Sequence, residues 1–531
     1  MKNQIYLLFF LLLYNYSFSQ EHAWVYFKDK PDEASFLASP LAMLTQKALD
    51  RRSKQNIALD NKDIPIASAY INTVISAVGI KVKAKSKWLN ALHITGSEID
   101  INALLALSFV DHVEFAANGL NTGTKLSYEK FDVKTNFNYG GSSNQIEMLN
   151  GNYLHQQDFT GDGMTIAVMD AGFPGVDVFS AFQRMRNNNQ IVDGYDFVSR
   201  STDFYTGNSH GTSVLSTMAG FIDGQLIGTA PDANYYLFIT EDVSQETPLE
   251  ESLWVEAAEK ADSLGVDIIN SSLGYTTFDD ARYDYIYADM NGNTAFITRG
   301  ADIAFSRGMI VVNSAGNSGS RIWHYIGAPA DGFNVLSIGA VDGSENITSF
   351  SSFGPTSDGR VKPDVNAKGG ATTIINSLGN ISTANGTSFS SPVMCGVIAC
   401  FWQAYPTKTN GEIIQAIKET GHLYTNPNNH EGYGIPDFQV AFSALIVDDI
   451  FKDNFKLYPN PFQDIIKFQF QDDFDDLQVT IFDVLGKHLL VEQISQNSPF
   501  INVNNLSQGI YILRIDQNEK SKSFKMIKKD D

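Results

Sequence analysis

Cysteine is nearly absent: the 531 residues carry two, Cys395 and Cys400. That excludes a disulfide framework. On a shared helix their Cα atoms would stand ~8–9 Å apart, beyond the ~7 Å a bridge tolerates. Two buried thiols acting as small hydrophobes are therefore expected. Cations are also in short supply, with 38 Lys and Arg against 60 Asp and Glu and a formal net charge of −22. Nucleic acid and anionic membranes are thereby disfavoured as partners. Past the N-terminus, no apolar run approaches the ~20 residues of a spanning helix, so no transmembrane segment is expected. What the chain does have is 43% hydrophobic residues and a length that suggests roughly three domains.

The N-terminus is the exception to the shortage of apolar runs. "MKNQIYLLFFLLLYNYSFSQ" has Lys2, an apolar stretch from Ile5 to Leu13, then Ser17 and Ser19. This reads as a signal peptide over 1–20, and the remainder as an exported protein. Residues 21–120 mix alternating runs ("HAWVYFK", "GIKVKAKSKWLNALHI", "VDHVEFA") with helical ones ("LAMLTQKALDRRS", "EIDINALLAL"), which suits a small α+β domain. A polar, Gly/Asn-rich linker follows over 121–144.

From 145 to 445 the pattern changes. "MTIAVMD", "NYYLFIT", "GVDIINSSLG", "GMIVVNSAGN" and "NVLSIGAV" are near-continuous apolar runs, as expected of parallel strands covered on both faces. Helices separate them. "TPLEESLWVEAAEKADSLG" carries a capping box at Thr247 and Glu250, Pro248 at the first helical position and Gly265 as its stop. Alternating strands and helices predict an α/β fold with a doubly wound parallel sheet. Residues 450–531 read instead as five or more antiparallel strands with tight turns, a small β-sandwich.

In an open α/β sheet, chemistry belongs beyond the carboxyl ends of the strands. "TIAVMDAG" closes its apolar run on Asp170, and a carboxylate there is costly unless something hydrogen-bonds it. "NSHGTSVLSTMAG" sets His210 at a helix start. "VVNSAGNSG" places Asn317 at a strand end among small residues, where an amide can donate to a developing oxyanion. "NGTSFSSPVMCGVIAC" puts Ser388 ahead of an apolar helix, where unpaired N–H groups and the helix dipole favour negative charge. Each signal alone has an ordinary reading: a turn Asp, a helix-start His, a Gly/Asn turn, a serine-rich cap. Together they supply a nucleophile, a base, an orienting carboxylate and an oxyanion donor. The chain order Asp, His, Ser separates them from the lipase type, and Ser390 breaks a G-x-S-x-G elbow.

These residues and their neighbours resemble the subtilase (S8-type) family of serine proteases. The matching stretches are "IAVMDAGF", "HGTSVLSTMAG", "GTAPDA", "INSSLG", "SAGNSG", "FSSFGPTSDGRVKPDVNAKG" and "NGTSFSSPVMCG", all in family order. The resemblance implies a serine endopeptidase with Ser388 as nucleophile, His210 as general base and Asp170 as its orienting partner. Asn317 and the Ser388 N–H would form the oxyanion hole. Ser272, Leu273 and Gly274, facing Ser314, Ala315 and Gly316, would wall the pocket for the residue before the scissile bond. No metal or cofactor is required for the chemistry. Structural calcium, common in the family, finds no placement, since "DMNGNT" (289–294) lacks the Gly and Glu of an EF-type loop.

By position and size, residues 21–120 resemble a subtilase propeptide. "YPNPF", "IFDVLGK", "GIYILRI" and "KMIKK" resemble the C-terminal sorting domain of type IX secretion. That resemblance implies a secreted or cell-surface protein, exported through the periplasm of a Bacteroidetes-type bacterium. Its partners would be protein or peptide substrates and the type IX machinery. The competing expectation is a catalytically inactive surface-binding protein on a subtilase scaffold. An esterase using the same three residues is disfavoured by the chain order and the missing elbow.

Overall fold

The computed structural model describes residues 20–117, 137–451, 455–470, 477–483, 488–495, 498–517 and 520–529. The expected signal peptide, save residue 20, and most of the expected linker lie outside the described residues. The chain divides into two compact units, Met1–Asp437 and Phe438–Asp531.

The first unit opens with a four-stranded antiparallel sheet. Its strands are β1 (Glu21–Phe27), β2 (Lys81–Ser86), β3 (Ala91–Gly96) and β4 (Val110–Phe115), ordered β2-β3-β1-β4. "GIKVKAKSKWLNALHI" is thus two strands and a turn, with Asn90 in the left-handed region at φ 51°. Helix α1 (Gln46–Lys54) starts where the Thr45 hydroxyl accepts from the Ala48 N–H, a side-chain N-cap.

Seven parallel strands then build the main sheet: β5 (Thr165–Asp170), β6 (Ile191–Asp196), β7 (Asn234–Ile239), β8 (Ile268–Ser271), β9 (Ile310–Ser314), β10 (Val335–Val341) and β11 (Val365–Lys368). The order is β11-β10-β9-β8-β5-β7-β6. Every residue of β5, β8, β9 and β10 is buried, which is why these strands read as unbroken apolar runs. The runs "GVDIINSSLG" and "GMIVVNSAGN" overshoot β8 and β9 at their carboxyl ends, and the surplus residues form the loops that matter below. After β5 the chain fills one side of the sheet with β6 and β7, then crosses over to β8 and continues outward. The switch point lies between β5 and β8, where doubly wound sheets open a crevice.

Helices α2 (His210–Ala219), α3 (Pro248–Leu264), α4 (Phe296–Ser306) and α5 (Thr387–Ala404) flank the sheet. The capping box of Thr247 and Glu250 forms, and Gly265 ends α3 at φ 80°, the left-handed C-cap that glycine adopts without a Cβ penalty. The four-stranded sheet docks on α3 and α4. Trp24 stacks on Phe296 at 4.5 Å and donates to the Ser252 hydroxyl at 2.8 Å. Glu259 of α3 accepts from the Ser86 hydroxyl and from the Lys87 and Trp88 N–H groups at 2.6–2.9 Å. Arg51 and Arg52 of α1 both pair with buried Asp262.

The second unit holds two antiparallel sheets. One comprises Phe455–Tyr458, Ile465–Phe470 and Phe500–Asn502; the other orders His488–Ile494, Leu477–Asp483, Gly509–Gln517 and Lys520–Lys528. Phe462, Ile466, Phe468, Ile481, Leu513 and Ile515 form its shared core. Cys395 and Cys400 lie on α5 of the first unit, both buried and unbridged, as their helical spacing requires. Among the described residues no helix is long and apolar enough to cross a membrane.

Candidate active site

Register brings the first elements together. Ser271 of β8 pairs with Met169 of β5 and with Asn313 of β9. Asp170, Ser272 and Ser314 therefore emerge at one edge, on either side of the switch point. Asp170 is 2% exposed. Its Oδ1 accepts from the Ala171 N–H at 2.7 Å and from His210 Nδ1 at 2.8 Å, and its Oδ2 lies 3.1 Å from the same nitrogen. These bonds offset the cost of burying the carboxylate.

His210 is the first residue of α2, its own N–H held by the Asn208 side chain at 2.9 Å. Gly211 is required by packing. A Cβ there would lie 2.5 Å from the Gly172 carbonyl and 2.9 Å from Asp170 Cβ, so glycine lets α2 close onto the end of β5. The Asp170 charge raises the His210 pKa above its ordinary value near 6.5, against the opposing effect of burial; its hydrogen bond and the Glu241 charge add to the rise. The side chain stays 36% exposed, so its outer nitrogen is reachable.

Ser388 sits in the first turn of α5 rather than ahead of it, because the helix begins at Thr387. It is buried, at 8% exposure. It lies at the floor of a cleft rather than out in solvent. Pro392 explains how it is held. A proline has no N–H to give to the carbonyl four residues back, so the Ser388 C=O loses its helical donor. The Ser272 hydroxyl donates to it at 2.9 Å instead, and the Asn270 side chain donates in turn to the Ser272 hydroxyl at 3.3 Å. The Ser388 hydroxyl donates to the Ser272 carbonyl at 3.3 Å. The end of β8 and the start of α5 are thus tied by reciprocal bonds.

Asn317, three residues past β9, is oriented by a residue the sequence reading did not single out. Its Oδ1 accepts from the Thr387 N–H at 2.9 Å and the Thr387 hydroxyl at 3.1 Å. That hydroxyl accepts from the Gly316 N–H at 3.1 Å. With Oδ1 engaged, the amide presents its NH2 edge to the cleft. The turn into α5 requires Gly386, whose φ of 150° side chains rarely adopt. The only advance signal for Thr387 was its place beside Ser388.

A cavity of about 210 Å3 adjoins Ser388. Its lining includes Ser272, Leu273, Gly274, Ser314, Ala315, Gly316 and Asn317, joined by Thr276, Tyr325, Gly327 and Ser352. Among the described residues no charged side chain lines it. Elsewhere, the side-chain oxygens of 289–294 cap the backbone: Asp289 accepts from the Ile286 N–H, and Asn291 from the Asn293 and Thr294 N–H groups. Among the described residues no cluster of metal-ligating side chains occurs.

Fold and site together define the class: a doubly wound α/β hydrolytic scaffold, with Asp, His, Asn and Ser gathered at its switch point. Residues 161–434 match the model of the subtilase family, and the chain belongs to that family. Residues 22–132 match the peptidase S8 propeptide domain of Bacteroidota, and 456–529 the secretion system C-terminal sorting domain. Subtilisin NAT of Bacillus subtilis subsp. natto is 29% identical over 380 residues, 71% of this chain and 87% of its own. Subtilisin of Bacillus pumilus is 30% identical over 300 residues, covering 56% and 97%. A thermostable alkaline protease of Halalkalibacterium halodurans is 26% identical over 284 residues, covering 53% and 69%. The protein is a serine-type endopeptidase of this family, with a propeptide and a type IX sorting domain that marks it as secreted or cell-surface.

Proposed function

We propose that the protein is a secreted precursor whose mature domain hydrolyses peptide bonds through Asp170, His210 and Ser388, with an acyl-enzyme intermediate. The observation that carries this reading is the short bond between buried Asp170 and His210 Nδ1, beside a serine seated in the first turn of a helix. The carboxylate fixes the imidazole with its proton on Nδ1, leaving Nε2 free to take the Ser388 hydroxyl proton as Oγ attacks the scissile carbonyl. The same proton then passes to the leaving amine. Water repeats the sequence in reverse to release the acid product.

Charge developing on the carbonyl oxygen falls to the Asn317 NH2 group and the Ser388 N–H. The latter is one of the unpaired donors of a helix's first turn, and donors fixed in advance at such a site need no reorganisation. The residue before the scissile bond enters the uncharged cavity between Ser272–Gly274 and Ser314–Gly316. The reaction draws on the chain's own groups, with no cofactor. Residues 21–120 cover α3 and α4 until removed, and residues 450–531 engage the type IX machinery. The catalytically inactive alternative gains no support, since every group of the constellation is present.

Intact masses of the secreted wild type and of Ser388→Ala test this. The wild type is expected to lose its N-terminal domain and to digest casein, while the variant keeps the domain and digests nothing. Equal casein digestion by the variant would refute the assignment.

A further inference from the structure

Beside the four residues of the constellation stands a carboxylate that the mechanism does not use. Glu241 follows β7 by two residues, and the intervening Thr240 N–H donates to the Asp170 carbonyl at 3.0 Å. Its Oε2 accepts from the Tyr275 hydroxyl at 2.6 Å and its Oε1 from the Thr240 hydroxyl at 3.0 Å. Tyr275 is 1% exposed and is pinned by a reciprocal backbone pair with Ala328. Glu241 is thus held between the Asp170–His210 pair and the residue that follows the pocket wall, with its charge reaching His210.

The cleft around it is acidic. Glu250 is buried and Glu246 exposed nearby, and among the described residues none of the three carboxylates forms an ion pair. Gly274 offers an N–H and a C=O that no backbone group of the described residues takes up. An extended peptide laid along that edge would place its side chains alternately on opposite faces. With the residue before the scissile bond turned into the cavity, the one preceding it turns the other way, toward His210 and Glu241.

Resting on the proposed protease reading, we infer that Glu241 makes the position two residues before the scissile bond selective for a basic side chain, lysine or arginine. Each Glu241 oxygen takes one hydroxyl and retains a lone pair, so it can accept from an ammonium or a guanidinium. A cation here would supply what the cluster lacks. Burial, with the Glu246 and Asp170 charges adding to it, pushes the Glu241 carboxyl up to about 7; the Tyr275 and Thr240 hydroxyls oppose the rise. Glu250 is likewise pushed up, to about 9, by burial and by Glu241. The selectivity should therefore be about half present near pH 7, approach its full value by pH 8.5 and fade on acidification.

The test uses the secreted protein and two peptides identical except for lysine or norleucine at that position. At pH 8.5 the kcat/KM ratio is expected to favour lysine by about 10- to 100-fold, the span of one hydrogen bond to a charged group. It should shrink toward pH 6 and fall to near one at every pH in Glu241→Gln. A wild-type ratio at or below one, or a lysine preference flat across pH, would overturn the inference, and this reading survives any misfolding of the variant. A preference undiminished in Glu241→Gln would overturn it as well. Cleavage of both peptides without preference strikes this inference alone, whereas cleavage of neither, together with inert casein, strikes the protease reading on which it rests.

Discussion

Thr387 gives the sharpest quantitative handle on the site. Its hydroxyl bridges the Gly316 N–H and Asn317 Oδ1, each at 3.1 Å, while its backbone N–H independently holds the same Oδ1 at 2.9 Å. Thr387→Val keeps the shape and removes only the hydroxyl. One of the two bonds that aim the Asn317 amide is then lost, at a net cost of about 0.5–1.5 kcal/mol, or about 2- to 13-fold in kcat if all of it reaches the transition state. Leaving the Gly316 N–H without a partner costs a further ~1–3 kcal/mol of stability. Asn317→Ala removes the proposed oxyanion donor itself, and the expected loss is about 10²–10³ in kcat, by the figure for such a donor in subtilisin. Steady-state hydrolysis of a peptide anilide, with urea unfolding alongside, separates the two effects. Thr387→Ser should restore both. A Thr387→Val loss as large as that of Asn317→Ala, or no loss in Asn317→Ala, would refute the reasoning.

Three other perturbations follow from contacts elsewhere in the first unit. Because the Asp170 charge raises the His210 pKa, and the proposed base works only when neutral, kcat/KM should fall with decreasing pH through a midpoint above 6.5. Asp170→Asn should move that midpoint down and lower the plateau by about 10⁴-fold; an unmoved midpoint would contradict the pairing. Asp262 is fully buried between Arg51 and Arg52, so Asp262→Ala should destabilise the unprocessed Ser388→Ala precursor by about 3–5 kcal/mol, read as a drop in its urea midpoint.

Docking of the N-terminal sheet should also depend on pH. His22 Nδ1 meets His93 Nε2 at 2.9 Å, and His93 Nδ1 meets the Ser252 hydroxyl at 2.6 Å. Burial, reinforced by Lys83 against the opposing charges of Glu21 and Asp280, holds His22 down to about 4; burial, His22 and Lys83 hold His93 well below its ordinary value. Glu259 acts in the opposite sense, pushed up to about 7 by burial. The two histidines shed protons on docking, against one that Glu259 takes up, so the docked state should weaken as the pH falls below 6.5, which hydrogen exchange at Trp24 and Ser86 would detect.

Much of this was legible in the sequence because burial on both faces leaves a plain mark. The apolar runs over 164–170, 265–274 and 308–317 announced the sheet, and the capping box at Thr247 and Glu250 announced α3. Strand β6 was missed because "IVDGYD" stands at the sheet edge and carries exposed Val192 and Asp193. The residues proposed for catalysis were found as types at strand and helix ends. Their supports were not, because they depend on contacts far apart in sequence. Nothing local in "GTS" reveals that Thr387 aims Asn317. Nor does "TEDV" reveal that Glu241 meets Tyr275. The reason for Pro392 appears only once the freed Ser388 carbonyl is seen to take the Ser272 hydroxyl.

The central claim is that Ser388 is the nucleophile, and a fluorophosphonate probe tests it most directly. Incubated with the processed secreted protein and mapped by peptide mass, the probe should give one adduct on Ser388, none in Ser388→Ala, and greatly slowed labelling in His210→Ala. An unlabelled wild type, or an adduct that persists in Ser388→Ala, would contradict the account.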